Sequence, residues 1–509
     1  AAGAAPSTPL ADLVVETVCE CFEDQLDERV GVQIVKALLA CVLSTSIRVH
    51  QSSLLHSVRT VYNVFLVSRT PATQAIAQGS LSQMISYVFS RVPRKSKGAA
   101  PAPEEPEKET EHVTLQMMEN RTSFEGGVER DEMLAASAAM DAPDLLVKDA
   151  FLVLRALCKL SMKVLGSESE RDLRSQAMRS KLLSLHMIHT ILATHMDVFT
   201  DSSVQIHSTS TGEQSSFVQA AKQYLCLSLS RNAVSSVIQV FEISCEIFWL
   251  VIQGMRTKVK KEIEVLFNEI FLPILEMRSS TAAQKSVLLG VVVARLCRDP
   301  QALVEIYLNY DCDRSALENV YERLMNTISR LVQAPPPSTP SSSTADPAAE
   351  ARSSTPLQRV PGGAPGVGDA EVPEHSGMPL EVRLKRQSLD CLCSVLHSLV
   401  LWLHRHVDAE ERAAHAADAA RAAHPAVEEE VGAAMPDDDP GRFENAKARK
   451  TTLLEAIRTF NYKPKRGIER LIEHGFIRDR TPTSIARFLF FADGLSKANI
   501  GEYLGEGDA

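Results

Sequence analysis

Apolar residues recur along this chain with the 3.6-residue period of amphipathic helices. Leu13, Val14, Thr17, Val18 and Cys21 open the pattern, and Ile34, Val35, Leu38, Leu39 and Val42 repeat it. Leu54, Leu55, Val58, Val61, Tyr62 and Phe65 give a third helix. After the Thr70-Pro71 break, Ile76, Leu81, Ile85, Val88 and Phe89 give a fourth. No stretch alternates for long, as half-buried strands would require. The period fades over about 93–142, where Pro93, Pro101, Pro103 and Pro106 lie among acids and lysines, a composition unable to bury a core. It returns in predicted helices at roughly 143–165, 170–196, 215–230, 233–253, 257–276, 281–297, 300–309 and 313–332. Asp299-Pro300 is a strong start signal, an Asp N-cap before a Pro at the first helical position. The 45 residues 334–378 hold nine prolines and read as a tether. A long helix is predicted from Leu380 to about His406, with Leu384, Leu389, Leu392, Val395, Leu396, Leu399 and Leu403 on its buried side. An alanine-rich, helix-prone piece follows, with little to bury.

Many consecutive helices with short connections, several apolar over more than half their circumference, predict an all-α fold. Eight helices in one stretch of the chain exceed an ordinary bundle, so the expected architecture is an armadillo/HEAT-like α-solenoid, a right-handed superhelix of stacked helices with two insertions. The repeat length is too irregular to identify by self-similarity.

Composition narrows the function. The formal net charge of the 509 residues is −10, so nucleic-acid binding is not expected. The longest uncharged apolar runs, such as Ser286 to Ala294, are too short to span a bilayer, which leaves a peripheral membrane role. The ten cysteines mostly sit inside apolar helical patterns, with no framework spacing and no leader before them, and read as small hydrophobes in a reducing compartment. Cys391 and Cys393 stand about 200° apart on a helix and cannot easily share one ion. His186 and His189 share a face without a carboxylate or cysteine beside them. No P-loop, dinucleotide fingerprint or nucleophile–base arrangement occurs, and no cofactor or metal is expected.

Two features stand out. Asn309-Tyr310-Asp311-Cys312-Asp313 lies between two predicted helices, where Asp313 can cap a helix beginning at Arg314. Either this is a well-capped corner, or its crowding of polar side chains with an aromatic and a cysteine is a hydrogen-bonded knot holding neighbouring layers. The second feature is the C-terminal run. Between Gly441 and Arg480 there are eleven Lys/Arg against five Asp/Glu. Lys447, Arg449, Lys450, Lys463, Lys465 and Arg466 either face anionic lipid or form a solvated helix face. Lys463-Pro464 and Thr481-Pro482 each end one helix and start another. Ile485, Phe488, Leu489, Leu495, Ile500 and Leu504 face a core.

This run carries F-E-N-A-K-A-R-K from Phe443, F-N-Y-K-P-K-R-G-I from Phe460 and T-P-T-S-I-A-R-F-L-F-F-A-D-G-L-S-K-A-N-I-G-E-Y-L-G-E from Thr481. It resembles the opening helices of the catalytic domain of Arf guanine-nucleotide exchange factors of the Sec-seven type, in the brefeldin-A-inhibited, late-Golgi subfamily. N-Y-D-C-D resembles the conserved box of that family's HUS domain. The resemblance implies a DCB (dimerisation and cyclophilin-binding) domain at 1–200 with an insertion at about 93–142. It implies a HUS domain at 201–430 with an insertion at about 334–378, then at 431–509 a linker and the start of the catalytic domain. It also implies that the box at Asn309–Asp313 supports packing between HUS and DCB.

The family's catalytic glutamate is expected beyond Ala509, and a start at Ala1 without methionine marks an excised piece. No residue is therefore given a catalytic role, and the chain itself is expected not to be an enzyme. The expected function is regulatory: dimerisation, recruitment to trans-Golgi membranes from the cytoplasm through Arf-family and other small GTPases and anionic lipid, and control of exchange on Arf. The competing expectation is a HEAT-like scaffold or adaptor with no catalytic domain.

Overall fold

The computed structural model describes residues 10–23, 27–94, 142–207, 214–313, 315–333, 379–423 and 440–505. The insertions expected at about 93–142 and 334–378 lie outside these residues apart from their edges. The described chain folds as eighteen helices and one small hairpin in an all-α, solenoid-like stack. The first four helices are α1 (Leu10–Glu20), α2 (Glu28–Leu43), α3 (Gln51–Val67) and α4 (Pro71–Ser90). Next come α5 (Ala142–Ser161), α6 (Gln176–Thr194) and the short α7 (Met196–Thr200). The hairpin β1 (Gln205–His207) and β2 (Gln214–Ser216) is antiparallel, with Gln205 opposite Ser216, and leads into α8 (Phe217–Asn232) and α9 (Ile238–Met255). Then α10 (260–276), α11 (282–297) and α12 (300–311) each contain a five-residue π turn, at Phe267–Phe271, Leu289–Val293 and Tyr307–Asp311. The rest comprises α13 (Val320–Gln333), α14 (Leu380–Ala423), α15 (Pro440–Tyr462), α16 (Pro464–Glu473), α17 (Pro482–Phe491) and α18 (Lys497–Gly505).

Local signals set these boundaries. Thr70 caps α4 with Pro71 at its first position, Thr281 and Gln284 form a capping box on α11, and Asp299 accepts from the Ala302 N–H ahead of Pro300. Glu28 of α2 accepts from the Arg69 and Thr70 N–H groups at 2.9 and 3.0 Å, pinning the α3–α4 corner from a neighbouring helix. One continuous core runs from Val15 of α1 to Val395 of α14. Phe217 ties its first half together, meeting Phe89, Phe151 and Phe199 edge-on at centroid distances of 6.3, 6.4 and 5.1 Å. Phe248 of α9 stacks on Phe271 of α10 at 4.1 Å.

Three expectations need correction. First, α9 has an 18-residue window apolar enough by length and composition to cross a membrane, which the sequence reading had denied to the whole chain. Most of that window is buried between neighbouring helices, and Glu246 on it pairs with Arg295 of α11 at 2.6 Å. Second, Leu389, Leu396 and Leu403 of α14 are 50%, 68% and 56% exposed instead of buried. They share a face opposite Leu384, Cys391 and Val395, which do reach the core. Third, the hairpin went unseen because each strand is only three residues long.

A second, smaller core gathers Ala456, Phe460, Ile468, Leu471, Ile477 and Leu489, with Ile485, Phe488, Leu495 and Ile500 packed against it. Leu504, expected in this core, is 66% exposed. Gly467 sets its geometry: a Cβ there would lie 2.3 Å from the Phe460 Cα, so only glycine lets α15 and α16 approach this closely. Asn461 bolts the far side, donating to the Gly494 carbonyl at 2.8 Å and accepting from the Ser496 N–H at 2.7 Å.

Lys181 of α6 is 8% exposed and donates to the Ser161 carbonyl and, at 2.8 Å, to Asn232 Oδ1. It thus serves the C-terminal ends of α5 and α8 through two uncharged oxygens, and burial pushes its pKa down to about 8 from 10.5. A depressed lysine pKa means that folding disfavours the charged form. Stability is therefore lowered below pH 8 and recovered as pH rises toward 10.5. Wild-type protein should gain stability relative to Lys181→Met across that interval in melting curves followed by circular dichroism. Parallel curves would show that Lys181 does not titrate there.

Candidate regulatory site at the corner of residues 307–322

The corner begins where α12 widens into its π turn, and the Cys312 N–H reaches back five residues to the Tyr307 carbonyl at 3.1 Å. This places Tyr310 and Asp311 side by side facing inward, 3% and 0% exposed. The Tyr310 hydroxyl donates to the Lys260 carbonyl at the start of α10 at 2.9 Å. Asp311 Oδ2 accepts from the Tyr321 N–H at 2.9 Å and Oδ1 from the Glu322 N–H at 3.1 Å. These are first-turn amides of α13, so Asp311 performs for that helix what an adjoining N-cap would do. Glu264 of α10, 7% exposed, accepts from the Leu317 and Glu318 N–H groups at 2.5 and 3.3 Å.

Asp313 does not cap a helix at Arg314, which lies outside the described residues. Its Oδ1 accepts from the Ser315 N–H at 2.8 Å and hydroxyl at 2.9 Å, closing a local turn, and α13 starts only at Val320. The physical reason is competition: Glu264 and Asp311 capture the amides of 317, 318, 321 and 322 and hold the intervening chain as a loop. Asn309 is half-buried and Cys312 is buried.

The corner is completed from α15. Lys450 is 2% exposed; its Nζ donates to the Tyr310 carbonyl and, at 3.1 Å, to the Glu318 carbonyl. One turn earlier, Lys447 Nζ stands 3.3 Å from Glu322 Oε2, 3.9 Å from Asp311 Oδ1 and 5.2 Å above the Tyr307 ring. Asn319 Nδ2 bridges Glu322 and Thr451, each at 3.2 Å. Burial lowers the Lys450 pKa, and the carboxylates of Glu264, Asp311 and Asp313 push back. Burial likewise raises Asp311, against its two amide bonds and the charges of Lys447 and Lys450. Burial is also the main cause of Tyr307 rising to about 12, with its hydrogen bond to Cys312 adding to the shift.

The six basic residues thus divide. Lys450 is buried and Lys447 half-buried in the corner, which takes Lys450 out of any lipid-facing set. Arg449, Lys463, Lys465 and Arg466 are exposed on α15 and at the start of α16. The box stands out in the sequence, whereas Glu264, 47 residues before Asp311, carries no local signal. Nor does the sequence mark Lys450 as the box's partner.

A family model described as the Mon2/Sec7/BIG1-like HUS domain matches residues 146–319, so it ends within this corner. A second, the Mon2/Sec7/BIG1-like dimerisation and cyclophilin-binding domain, matches 5–96, and a Sec7 domain model matches 449–509. The chain belongs to the large Sec7-type family. Among its relatives, the ADP-ribosylation factor guanine nucleotide-exchange factor sec71 of Schizosaccharomyces pombe is 39% identical over 98% of this chain and 30% of its own length. The exchange factor SEC7 of Saccharomyces cerevisiae is 35% identical over 99% of this chain and 27% of its own length. The human brefeldin A-inhibited guanine nucleotide-exchange protein 1 is 27% identical over 99% and 34%. The chain therefore spans about a third or less of the curated relatives it matches. The expectation that it has no enzymatic role is corrected: a Sec7 domain is present at 449–509, and the family's relatives are named as exchange factors. The same finding removes the scaffold without a catalytic domain.

With these matches, the corner joins a HUS-matching segment to a Sec7-matching helix through the buried Lys450. Asp311→Ala should cost about 1–3 kcal/mol in chemical denaturation, because it strands two amides and removes a negative charge near the buried ammonium. Asp313→Ala should cost well under about 1 kcal/mol, since its turn is exposed. Equal costs would show that the corner does not hang on Asp311.

Proposed function

We propose that this chain is the regulatory and membrane-targeting region, with part of the Sec7 domain, of an Arf guanine-nucleotide exchange factor acting in vesicle traffic at the trans-Golgi. It dimerises, is recruited to the cytoplasmic face of Golgi membranes by Arf-family and other small GTPases and by anionic lipid, and controls exchange on Arf. The observation that carries this reading is the burial of Lys450, a Sec7-segment side chain, on the carbonyls of Tyr310 and Glu318. A charge seated inside the helical stack fixes how the Sec7 segment leaves it, so movement in the stack is felt at the Sec7 domain. In its full natural length the protein should accelerate GDP release from an Arf GTPase, read by nucleotide fluorescence; no acceleration overturns the activity. Lys450→Met and Asp311→Ala should each alter that rate several-fold with helix content intact. Unchanged rates would take the corner out of its control.

The membrane part rests on the exposure of Arg449, Lys463, Lys465 and Arg466. Basic residues held at an anionic surface contribute about 1 kcal/mol each, screened by salt. Lys463→Glu with Arg466→Glu should weaken co-sedimentation with phosphatidylserine-containing vesicles by roughly tenfold or more, and added salt should do the same to wild type. Binding indifferent to both changes would rule these residues out.

A further inference from the structure

Cys297 ends α11 and Cys391 lies on the inner face of α14; both are buried, at 0% and 2% exposure. Three contacts stitch the two helices together here. Ser286 Oγ donates to Gln387 Oε1 at 3.0 Å, the Cys297 and Cys391 thiols hydrogen-bond to one another, and the Ser398 hydroxyl donates to the Cys297 carbonyl at 2.9 Å. A cysteine buried as a small hydrophobe needs no polar partner, and Cys158, Cys226 and Cys245 fit that description: burial pushes their thiols up. Cys391 differs. The hydrogen bond from Cys297 pulls its pKa below the usual thiol value, with Arg298 helping and burial and Asp390 opposing. The same bond pushes Cys297 up. The pair is thus graded, with Cys391 the better nucleophile and Cys297 the proton donor beside it.

We propose that Cys297 and Cys391 are a reversible oxidation site, at which hydrogen peroxide converts the two thiols to a disulfide that clamps α14 onto α11. The Cys391 thiolate attacks one peroxide oxygen and the O–O bond breaks. A sulfenic acid forms, and the departing hydroxide takes up a proton to become water. The Cys297 sulfur then attacks the Cys391 sulfur, the S–O bond breaks, and a second water carries off the Cys297 proton. Two electrons pass from the sulfur pair to the peroxide, and a dithiol returns them by exchange. Access comes through α14 itself. One face rests on the stack while the other carries the exposed Leu389, Leu396 and Val400, so this helix opens more readily than one packed on both sides. The bridge closes a loop that contains α12, α13 and the corner of 307–322, and with them the carbonyls that seat Lys450.

This goes beyond the function proposed above and does not rest on it. The test uses the 509-residue chain with the two exposed cysteines, Cys21 and Cys393, replaced by serine. After hydrogen peroxide, titration in denaturant should find two fewer thiols, and non-reducing peptide mapping should find the Cys297 and Cys391 peptides joined. The melting temperature should rise by several degrees and fall back with dithiothreitol. Adding Cys297→Ser or Cys391→Ser should each remove the rise. Peroxide treatment that leaves the two peptides separate would overturn the pair. Joined peptides with an unmoved melting curve would overturn the clamp.

Discussion

An ammonium group shut away from water has to be met by oxygen, and at Lys450 the oxygens are the carbonyls of Tyr310 and Glu318. Both are on offer only because the chain between α12 and α13 is kept from becoming helix. The π turn swings Asp311 inward, Asp311 takes the first-turn amides of α13, and Glu264 takes those of residues 317 and 318. The corner is thus a set of mutual obligations. Two buried carboxylates satisfy amides that would otherwise be orphaned, and the lysine balances their charge while filling the carbonyls left over. Remove a carboxylate and its two amides lose their acceptor; remove the lysine and the buried carboxylates lose a balancing charge, which ties the exit direction of α15 to the folding of α10, α12 and α13.

Most of the fold was legible from periodicity, because buried helices must repeat their apolar faces whatever the tertiary context. The four helices before Val92 lie where the apolar pattern places them. Most of those from Ala142 to Gln333 keep their predicted bounds, although α6 starts at Gln176 and α13 at Val320, six and seven residues late. Caps such as Thr70, Asp299 and Thr481 sit where the dipeptides place them. Failures came where periodicity is degenerate. Two seams 200° apart on α14 merge into one apolar pattern when read along a line, so Leu389 and Leu384 looked alike. In α9 the composition of a buried core helix equals that of a membrane span, and only the neighbours tell them apart.

The site was half legible. Asn309 to Asp313 announced itself through its crowding of polar groups, but which aspartate mattered was invisible. Proximity in sequence favoured Asp313, while the helix it was to cap begins at Val320 and is served by Asp311 across the turn. Glu264 and Lys450 lie 47 residues before and 139 residues after Asp311, spans over which no local pattern carries information. Lys450 also sat in a basic run, so its charge suggested solvent, and burial reversed the meaning.

Gly467 gives the arrangement a mechanical consequence. Its contact with Phe460 presses α15 and α16 together so closely that the two turn as one piece. Lys450, ten residues before Phe460, then acts as a fulcrum. The twelve residues from Lys450 to Tyr462, where α15 ends, make an arm of roughly 18 Å, and a rotation of a few degrees about the buried ammonium would sweep residues 482–505 sideways by an ångström or more. The stack need not deform far to be read at the arm's end.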